Sequence, residues 1–272
     1  IDRVVAVDNG DYVYNQGVRR RLHQGSIVEV GSGSSFNLER LLTVRPDLVI
    51  LSAIGPDDPT IKRLRSVGIP VLPLADWREQ DPLGRAEWVT LFGALLNKEQ
   101  AAVDLFAPRA ERYNTLKSRG AAVPHEARPT VLTNAPWQGS WPVPGGESYV
   151  ARLLEAAGGA YLWGERNGTG SIFLDLETVL NRGADAEDWV NLNYGWTERA
   201  DAIETDPRLA KFNAFQNNQM YHHNRRVRDS GANDFWESGA TRPDLVLSDL
   251  MRILHPELLP DHELVYYRRL DP

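Results

Sequence analysis

The stretch SSFNLERLLTVRPDLVILS, residues 34–52, decides the fold class. Ser34, Ser35 and Asn37 carry oxygens that can accept the free N–H groups at a helix start, and Leu38, Leu41, Leu42 and Val44 recur at helical spacing, so a short amphipathic helix is predicted. Pro46 ends it, since proline steers the residue before it away from helical backbone. Leu48, Val49, Ile50 and Leu51 follow as an unbroken apolar run, the pattern of a strand buried on both faces in a parallel sheet flanked by helices. Glu39 falls in the first helical turn, where a carboxylate suits the helix dipole.

Working outward, the same alternation recurs. Apolar runs at residues 4–7, 27–30 and 69–74 read as further strands, and residues 58–67 as a helix closed by Gly68. Residues 84–96 and 98–118 read as helices. The second carries a stripe of Ala102, Leu105, Phe106, Ala110, Tyr113 and Leu116, interrupted in sequence only by Pro108. Beyond Gly120 the alternation restarts, with strands at 130–133 and 189–192, helices at 148–157, 176–180 and 243–254, and a short strand at 264–267. The chain is therefore expected to be α/β, with an N-terminal lobe over 1–96, a connecting helix over 97–119 and a C-terminal lobe over 120–272. A repeat links the halves. Leu38-Glu39 leads through Leu41-Leu42 to Pro46-Asp47, and Leu176-Glu177 leads through Val179-Leu180 to Ala184-Asp185 at the same offset.

A chain of 272 residues with 42% hydrophobic content has enough material for a sizeable core, and a formal net charge of -7 argues against a nucleic-acid scaffold, which needs a basic face. No apolar run approaches the length of a membrane span, and the opening IDRVVAVDNG lacks the basic and apolar regions of a signal peptide. The absence of cysteine excludes disulfides, thiol catalysis and thiolate metal sites. Among the histidines only His222 and His223 are adjacent, and no helical pair at i, i+4 marks a metal site; no cofactor is expected. GSGSS at 31–35 fits neither a nucleophile elbow nor a phosphate-binding loop.

The loops after the predicted strands carry a heavy aromatic load. Tyr12 and Tyr14, Trp77, Trp137 and Trp141, Tyr194 and Trp196, and Tyr221 and Trp236 fall there, in company with Arg78, Arg85, Arg225, Arg226 and Arg228. Ligands of open α/β sheets bind beyond the carboxyl ends of the strands, where such loops gather. From this set Tyr12, Tyr14, Arg85, Trp137, Trp141, Trp196, Arg225 and Trp236 are the expected ligand contacts, the rings for a bulky ligand and the guanidiniums for an anionic one.

NLERLLTVRPDLVILS resembles the hallmark segment of the solute-binding proteins that serve ABC importers for vitamin B12, ferric siderophores and heme. VPGGESYVARLLEAAGGAYLW is similar to that family's second-lobe loop and helix, DLETVLNRGADAEDWV resembles its second glutamate helix, and DPLGRAEW and ANDFWESG resemble its iron-complex branch. The resemblance implies two Rossmann-like lobes with parallel sheets, joined by one long backbone helix, with the ligand in a cleft between the lobes. It implies no catalytic step. It implies that Glu39 and Glu177 meet arginines of a membrane permease, and that the cargo is an iron chelate or, on the same fold, a corrinoid or heme. The place of work implied is the periplasm or the outer face of a membrane, with membrane contact through the transporter or an anchor. The family's signal and first strand-helix unit precede the stretch matched by IDRVVAV, so the first sheet is expected to lack a strand. A reading from another class is a hydrolase that uses two of the many carboxylates, with loop tryptophans stacked on a sugar; no pair stands out by spacing.

Overall fold

The computed structural model describes residues 1–32, 35–52 and 58–271. Ser34, one of the three expected caps, lies outside them. The fold is α/β with parallel sheets and one long helix, and the chain forms two compact units: Ile1–Glu79 with Val227–Glu237, and Gln80–Arg226 with Ser238–Pro272.

In the first unit the chain runs through β1 (Ala6–Asp8), α1 (Gln16–His23), β2 (Val28–Ser32), β3 (Ser35–Phe36), α2 (Leu38–Val44), β4 (Val49–Ser52), α3 (Pro59–Ser66) and β5 (Val71–Leu74). Each helix starts on an Asx cap. The Asn15 side chain accepts from Gly17 and Val18 N–H, Asn37 from Arg40 N–H, and Asp58 from Thr60 N–H with Pro59 in the first helical turn. α2 ends at Arg45, held in the left-handed region at φ 46°, ahead of Pro46. The strands fall in two sheets: β1 runs parallel to β2 with β3 antiparallel beyond it, and β4 runs parallel to β5. Val30, Leu41, Leu64 and Ile69 form a core to which both sheets contribute, through Ala6 and Val28 on one side and Val49 and Val71 on the other.

The apolar run at 48–51 departs from expectation. β4 alternates, with Val49 and Leu51 half-buried and Ile50 exposed. Among the described residues β4 pairs only with β5, and a two-stranded sheet cannot enclose a strand on both faces as the middle of a larger one does.

The second unit opens with α4 (Pro82–Glu87), α5 (Val89–Leu95) and α6 (Glu99–Ala121). The single helix expected over 84–96 is thus two, parted at Trp88. α6 has 23 residues, about 35 Å at the usual rise, with Pro108 inside it. Of the expected stripe Ala102, Tyr113 and Leu116 are buried, whereas Leu105 is exposed. There follow β6 (Thr130–Thr133), β7 (Trp141–Pro144), α7 (Tyr149–Ala156), β8 (Ala160–Tyr161), β9 (Ser171–Leu174), α8 (Leu176–Gly183), β10 (Asp188–Val190), α9 (Arg199–Thr205), α10 (Asn213–Gln216) and β11 (Met220–His222). The chain then contributes Val227–Glu237, including α11 (Asp234–Glu237), to the first unit, and returns as α12 (Pro243–Leu254) and β12 (Arg268–Arg269).

The main sheet has the order β12-β11-β10-β6-β8, parallel except for β12, and β7 pairs antiparallel with β9. α6 packs on α12, α5 and α7, which gives it to the second unit, whereas the sequence reading set it apart as a connector. Gly120 permits that packing, since a Cβ there would lie 2.1 Å from the Ala156 carbonyl oxygen. Arg112 and Arg242 both donate to the buried Asp244 carboxylate, at 2.9 Å from each, and tie α6 to the start of α12.

The last strand is shifted from the expected 264–267 to Arg268–Arg269. The N–H groups of Val265, Tyr266 and Tyr267 go to the Asp249 carboxylate on α12 at 2.7–3.1 Å, so they are not available to a ladder.

Candidate ligand loops and docking helices

In the first unit the loop after β1 begins at Asn9, in the left-handed region at φ 50°, and turns through Gly10–Tyr12. Residues 227–237 clamp this loop. The Glu237 carboxylate accepts Tyr14 and Asn15 N–H at 2.7 and 3.0 Å, Arg228 donates to the Tyr14 carbonyl at 3.1 Å, and Ser230 Oγ donates to the Asp11 carbonyl at 2.7 Å. The Arg228 guanidinium also lies 5.0 Å from the Tyr14 ring centre, a cation–π distance that occupies that half-buried ring. Tyr12 and Trp236 on either side of the clamp stay exposed, as does Trp77 after β5.

In the second unit the loop after β6 makes a tight turn, Trp137 and Ser140 exchanging both backbone hydrogen bonds across Gln138 and Gly139 at φ 48° and 80°. Two consecutive positive φ values twist a hairpin turn the way its strands twist. The turn leaves Trp137 in solvent. After β10, Asn191 at φ 56° starts a loop that exposes Tyr194. Large rings left in water are thus Tyr12, Trp77 and Trp236 in the first unit and Trp137, Phe173 and Tyr194 in the second, from 48% exposed for Trp77 to 64% for Phe173.

Trp141 and Trp196 lie elsewhere. Both are in the core of the second unit, 0% and 4% exposed, on either side of Trp189 with ring centres 5.5 and 5.6 Å from it. A buried indole must place its N–H, and both do: Trp141 Nε1 donates to the Thr133 carbonyl at 2.9 Å and Trp196 Nε1 to Thr205 Oγ1 at 3.1 Å. They belong to the same loop sequences as Trp137 and Tyr194, and no local signal separates the two kinds. Burial of Trp141 depends on the β7–β9 ladder, where it faces Leu174.

Arg85 is half-buried on α4, its guanidinium 5.6 Å from the ring of Tyr149, whose hydroxyl burial pushes up to about 12. Arg225 is exposed, its backbone N–H bound to the Tyr266 carbonyl. His222 ends β11 and His223 follows it, the two forming a buried pair with ring centres 4.4 Å apart. Burial drives their pKa values down to about 2 and about 4, with the charges of His223 and Arg268 adding to the shift at His222. Both imidazoles are therefore neutral at ordinary pH. Among the described residues no three His, Asp or Glu side chains gather in a way that would hold a metal ion.

Glu39 and Glu177 occupy the same local frame. A short antiparallel strand, β3 or β9, feeds an Asx residue whose side chain accepts the N–H three residues on, Asn37 from Arg40 at 2.9 Å and Asp175 from Thr178 at 2.7 Å. The glutamate comes two residues after the cap and is exposed, and the residue two beyond it, Leu41 or Val179, is buried. The N–H and hydroxyl of Thr178 hold the Asp175 carboxyl below its ordinary range. The sequence repeat is thus a repeat of structure. The match extends past the helix: Ala184–Glu187 separate α8 from β10 and Arg45–Leu48 separate α2 from β4, four residues in each half.

No helix among the described residues is long and apolar enough to cross a membrane. The sequence profile of a periplasmic binding protein family matches residues 2–226. An uncharacterised lipoprotein of Methanocaldococcus jannaschii is 30% identical over 251 residues, which make up 90% of this chain and 56% of that protein. The chain therefore spans little more than half the length of that relative. Among solved structures, a possible iron-binding, periplasmic solute-binding protein of Staphylococcus epidermidis superposes with a TM-score of 0.68 at 17% identity, covering 92% of this chain and 90% of the other. A periplasmic heme-binding protein of Pseudomonas aeruginosa gives 0.65 at 19% identity, covering 93% and 85%. At these identities the structures speak to the fold, and the family profile to descent: the chain belongs to the periplasmic binding protein family, whose members bind solutes and catalyse no reaction.

Proposed function

We propose that this protein is the solute-binding component of an ABC importer and that its cargo is an iron chelate of the ferric-siderophore kind. The observation that carries the reading is the exposure of Tyr12, Trp77, Trp137 and Tyr194 in segments that follow strands, together with Trp236 on α11. Leaving five large rings in water forgoes the stabilisation that burial brings, roughly 1.5–3 kcal/mol for a large apolar side chain, which is understandable where a ligand covers them. Arg85 and Arg225 serve an anionic chelate.

Flat exposed rings also favour a second cargo, heme or a corrinoid, and the heme-binding protein of similar fold keeps that reading in play. Glu39 and Glu177, each presented by a capped helix, dock on arginines of the permease. Membership of the family implies work outside the cytoplasm, and the lipoprotein relative favours attachment to a membrane through a lipid anchor.

The test is a ligand panel. Purified protein is incubated with ferric siderophores, corrinoids and heme, desalted, and read by visible spectrum and tryptophan quenching. Retention of a ferric siderophore with quenching that Trp137→Ala reduces supports the first reading, and retention of heme or a corrinoid alone selects the second. Retention of none rejects both.

A further inference from the structure

The first unit contains a groove that the aromatic loops do not explain. Its volume is about 370 Å³, within the range of small-molecule sites, and Leu22 of α1 with Ile27 and Val28 supplies the apolar part of a mixed lining. Two guanidiniums line it from different helices, Arg19 of α1 and Arg40 of α2. Arg19 spends one N–H on the Val13 carbonyl at 3.4 Å, a long bond, and the Arg40 side chain has no hydrogen bond among the described residues.

The groove also holds the carboxylates of Glu29 and Asp11 and the ring of His23, yet among the described residues no ion pair joins either arginine to a carboxylate. Glu29 is committed otherwise: its Oε1 accepts Gly10 N–H at 2.7 Å and ties the loop after β1 to β2. Gly10 suits that approach, because a Cβ there would sit 3.3 Å from Leu22 Cδ1 and 3.4 Å from the same Glu29 oxygen. The result is a groove with an apolar patch and two arginines that, among the described residues, pair with no carboxylate. A guanidinium fork pairs best with the two oxygens of a carboxylate or phosphate.

We propose that this groove binds a small organic anion, its carboxylate or phosphate end held between Arg19 and Arg40 and its short apolar body lying on Leu22 and Ile27. The site belongs wholly to the first unit and shares Gly10 and Asp11 with the loop that carries Tyr12, but contains none of the exposed rings.

The experiment is an NMR titration of the isotope-labelled chain with hexanoate, hexyl phosphate, inorganic phosphate and hexyltrimethylammonium, each to about 10 mM. Expected are saturable shifts of the Gly10, Leu22 and Ile27 amides with the two hexyl anions, weaker ones with inorganic phosphate, and none with the cation. Arg19→Gln and Arg40→Gln should each weaken hexyl phosphate about tenfold, the loss of one charge-assisted contact, with melting temperatures unchanged. Trp236→Ala should leave this titration as it was. Absence of shifts at the three amides, equal binding by the double arginine variant, or a response to hexyltrimethylammonium as strong as to the anions would each overturn the proposal. Inorganic phosphate binding as tightly as hexyl phosphate would overturn the apolar half of it.

Discussion

Asp249 and His262 meet at 2.7 Å, and the same buried carboxylate accepts the backbone N–H groups of Val265, Tyr266 and Tyr267. One side chain of α12 thereby seats the whole segment that leads into β12. Truncating it leaves three N–H groups without an acceptor in a dry place, each costing about 1–3 kcal/mol where water cannot reach it. Asp249→Ala is therefore expected to destabilise the second unit by about 3–5 kcal/mol, close to the cost of breaking a buried pair. Asp249→Asn should recover only part of this, since its amide offers one acceptor oxygen and adds donors facing donors. Urea melts of the three proteins check it, and a loss below about 1 kcal/mol in the alanine variant would sink the account.

The two kinds of tryptophan should separate cleanly. Trp141→Ala opens a cavity beside Trp189 and Phe212 and is expected to cost about 3–5 kcal/mol in stability. Trp137→Ala removes an exposed ring and should leave stability within about 0.5 kcal/mol while weakening ligand binding by about 1–3 kcal/mol. Thermal melts and ligand titrations on the same preparations decide it. Equal stability losses in the two variants would refute the division into core and ligand rings.

How much of this was legible before the structure depends on how local the cause is. The helix at Pro243–Leu254 and the strands Thr130–Thr133 and Val71–Leu74 are written in their own apolar periodicity and bounded by their own prolines. The Glu39 and Glu177 frame was legible too, because cap, glutamate and buried leucine or valine fall within five residues. The shifted last strand was not, since its cause is a carboxylate 16 residues or more away. Glu237, which fastens Tyr14 and Asn15 from more than 220 residues away, left no trace in the sequence, and a carboxylate beside an aromatic gives no sign of a clamp. Trp137 and Trp141 are four positions apart, and only a ladder to a strand 30 residues on buries one and not the other.

Buried titratable groups of the second unit set a pH dependence. His222 and His223 stay neutral in the folded chain down to about pH 2 and about pH 4, whereas the unfolded chain protonates them near 6.5, so they withdraw stability as pH falls below that value. Asp188 acts the other way. Burial, reinforced by Glu187 and opposed by Arg269, raises its pKa to about 7, so the folded chain keeps a proton that the unfolded one releases near 3.8, and stability falls as pH rises between those values. Between about pH 6 and 4.5 the unfolded chain holds two extra protons and the folded chain one, leaving a net loss on acidification of about 1.4 kcal/mol per pH unit. Asp244, held low by Arg242 and Arg112, adds its own loss only below about pH 4. Asp188→Asn should steepen the acid slope towards two protons and raise stability at pH 8. Chemical denaturation from pH 4.5 to 8 measures both, and a flat profile in the parent protein would contradict the assignment.

Glu39 and Glu177 should matter to delivery and not to folding or capture. Each is exposed in the first turn of a helix whose cap is made by the residue two before it, so its own contribution to the helix is about 0.3–1 kcal/mol. Glu39→Lys and Glu177→Lys are expected to keep stability within about 1 kcal/mol and ligand affinity unchanged. Uptake by cells carrying the importer should fall with either reversal, because under the proposed docking role each reversal sets a like charge against a permease arginine, and the double reversal should fall further. Asn37→Ala and Asp175→Ala keep the glutamates but remove the caps at about 1 kcal/mol each, which frays the turn that presents them. They should therefore reduce uptake less than the reversals do. A compensating Arg-to-Glu change in the permease should restore part of the transport lost by a reversal and none of that lost by a cap variant. If ligand affinity falls together with uptake in Glu39→Lys, the carboxylate serves the cargo or the fold, and the docking role passes to other residues.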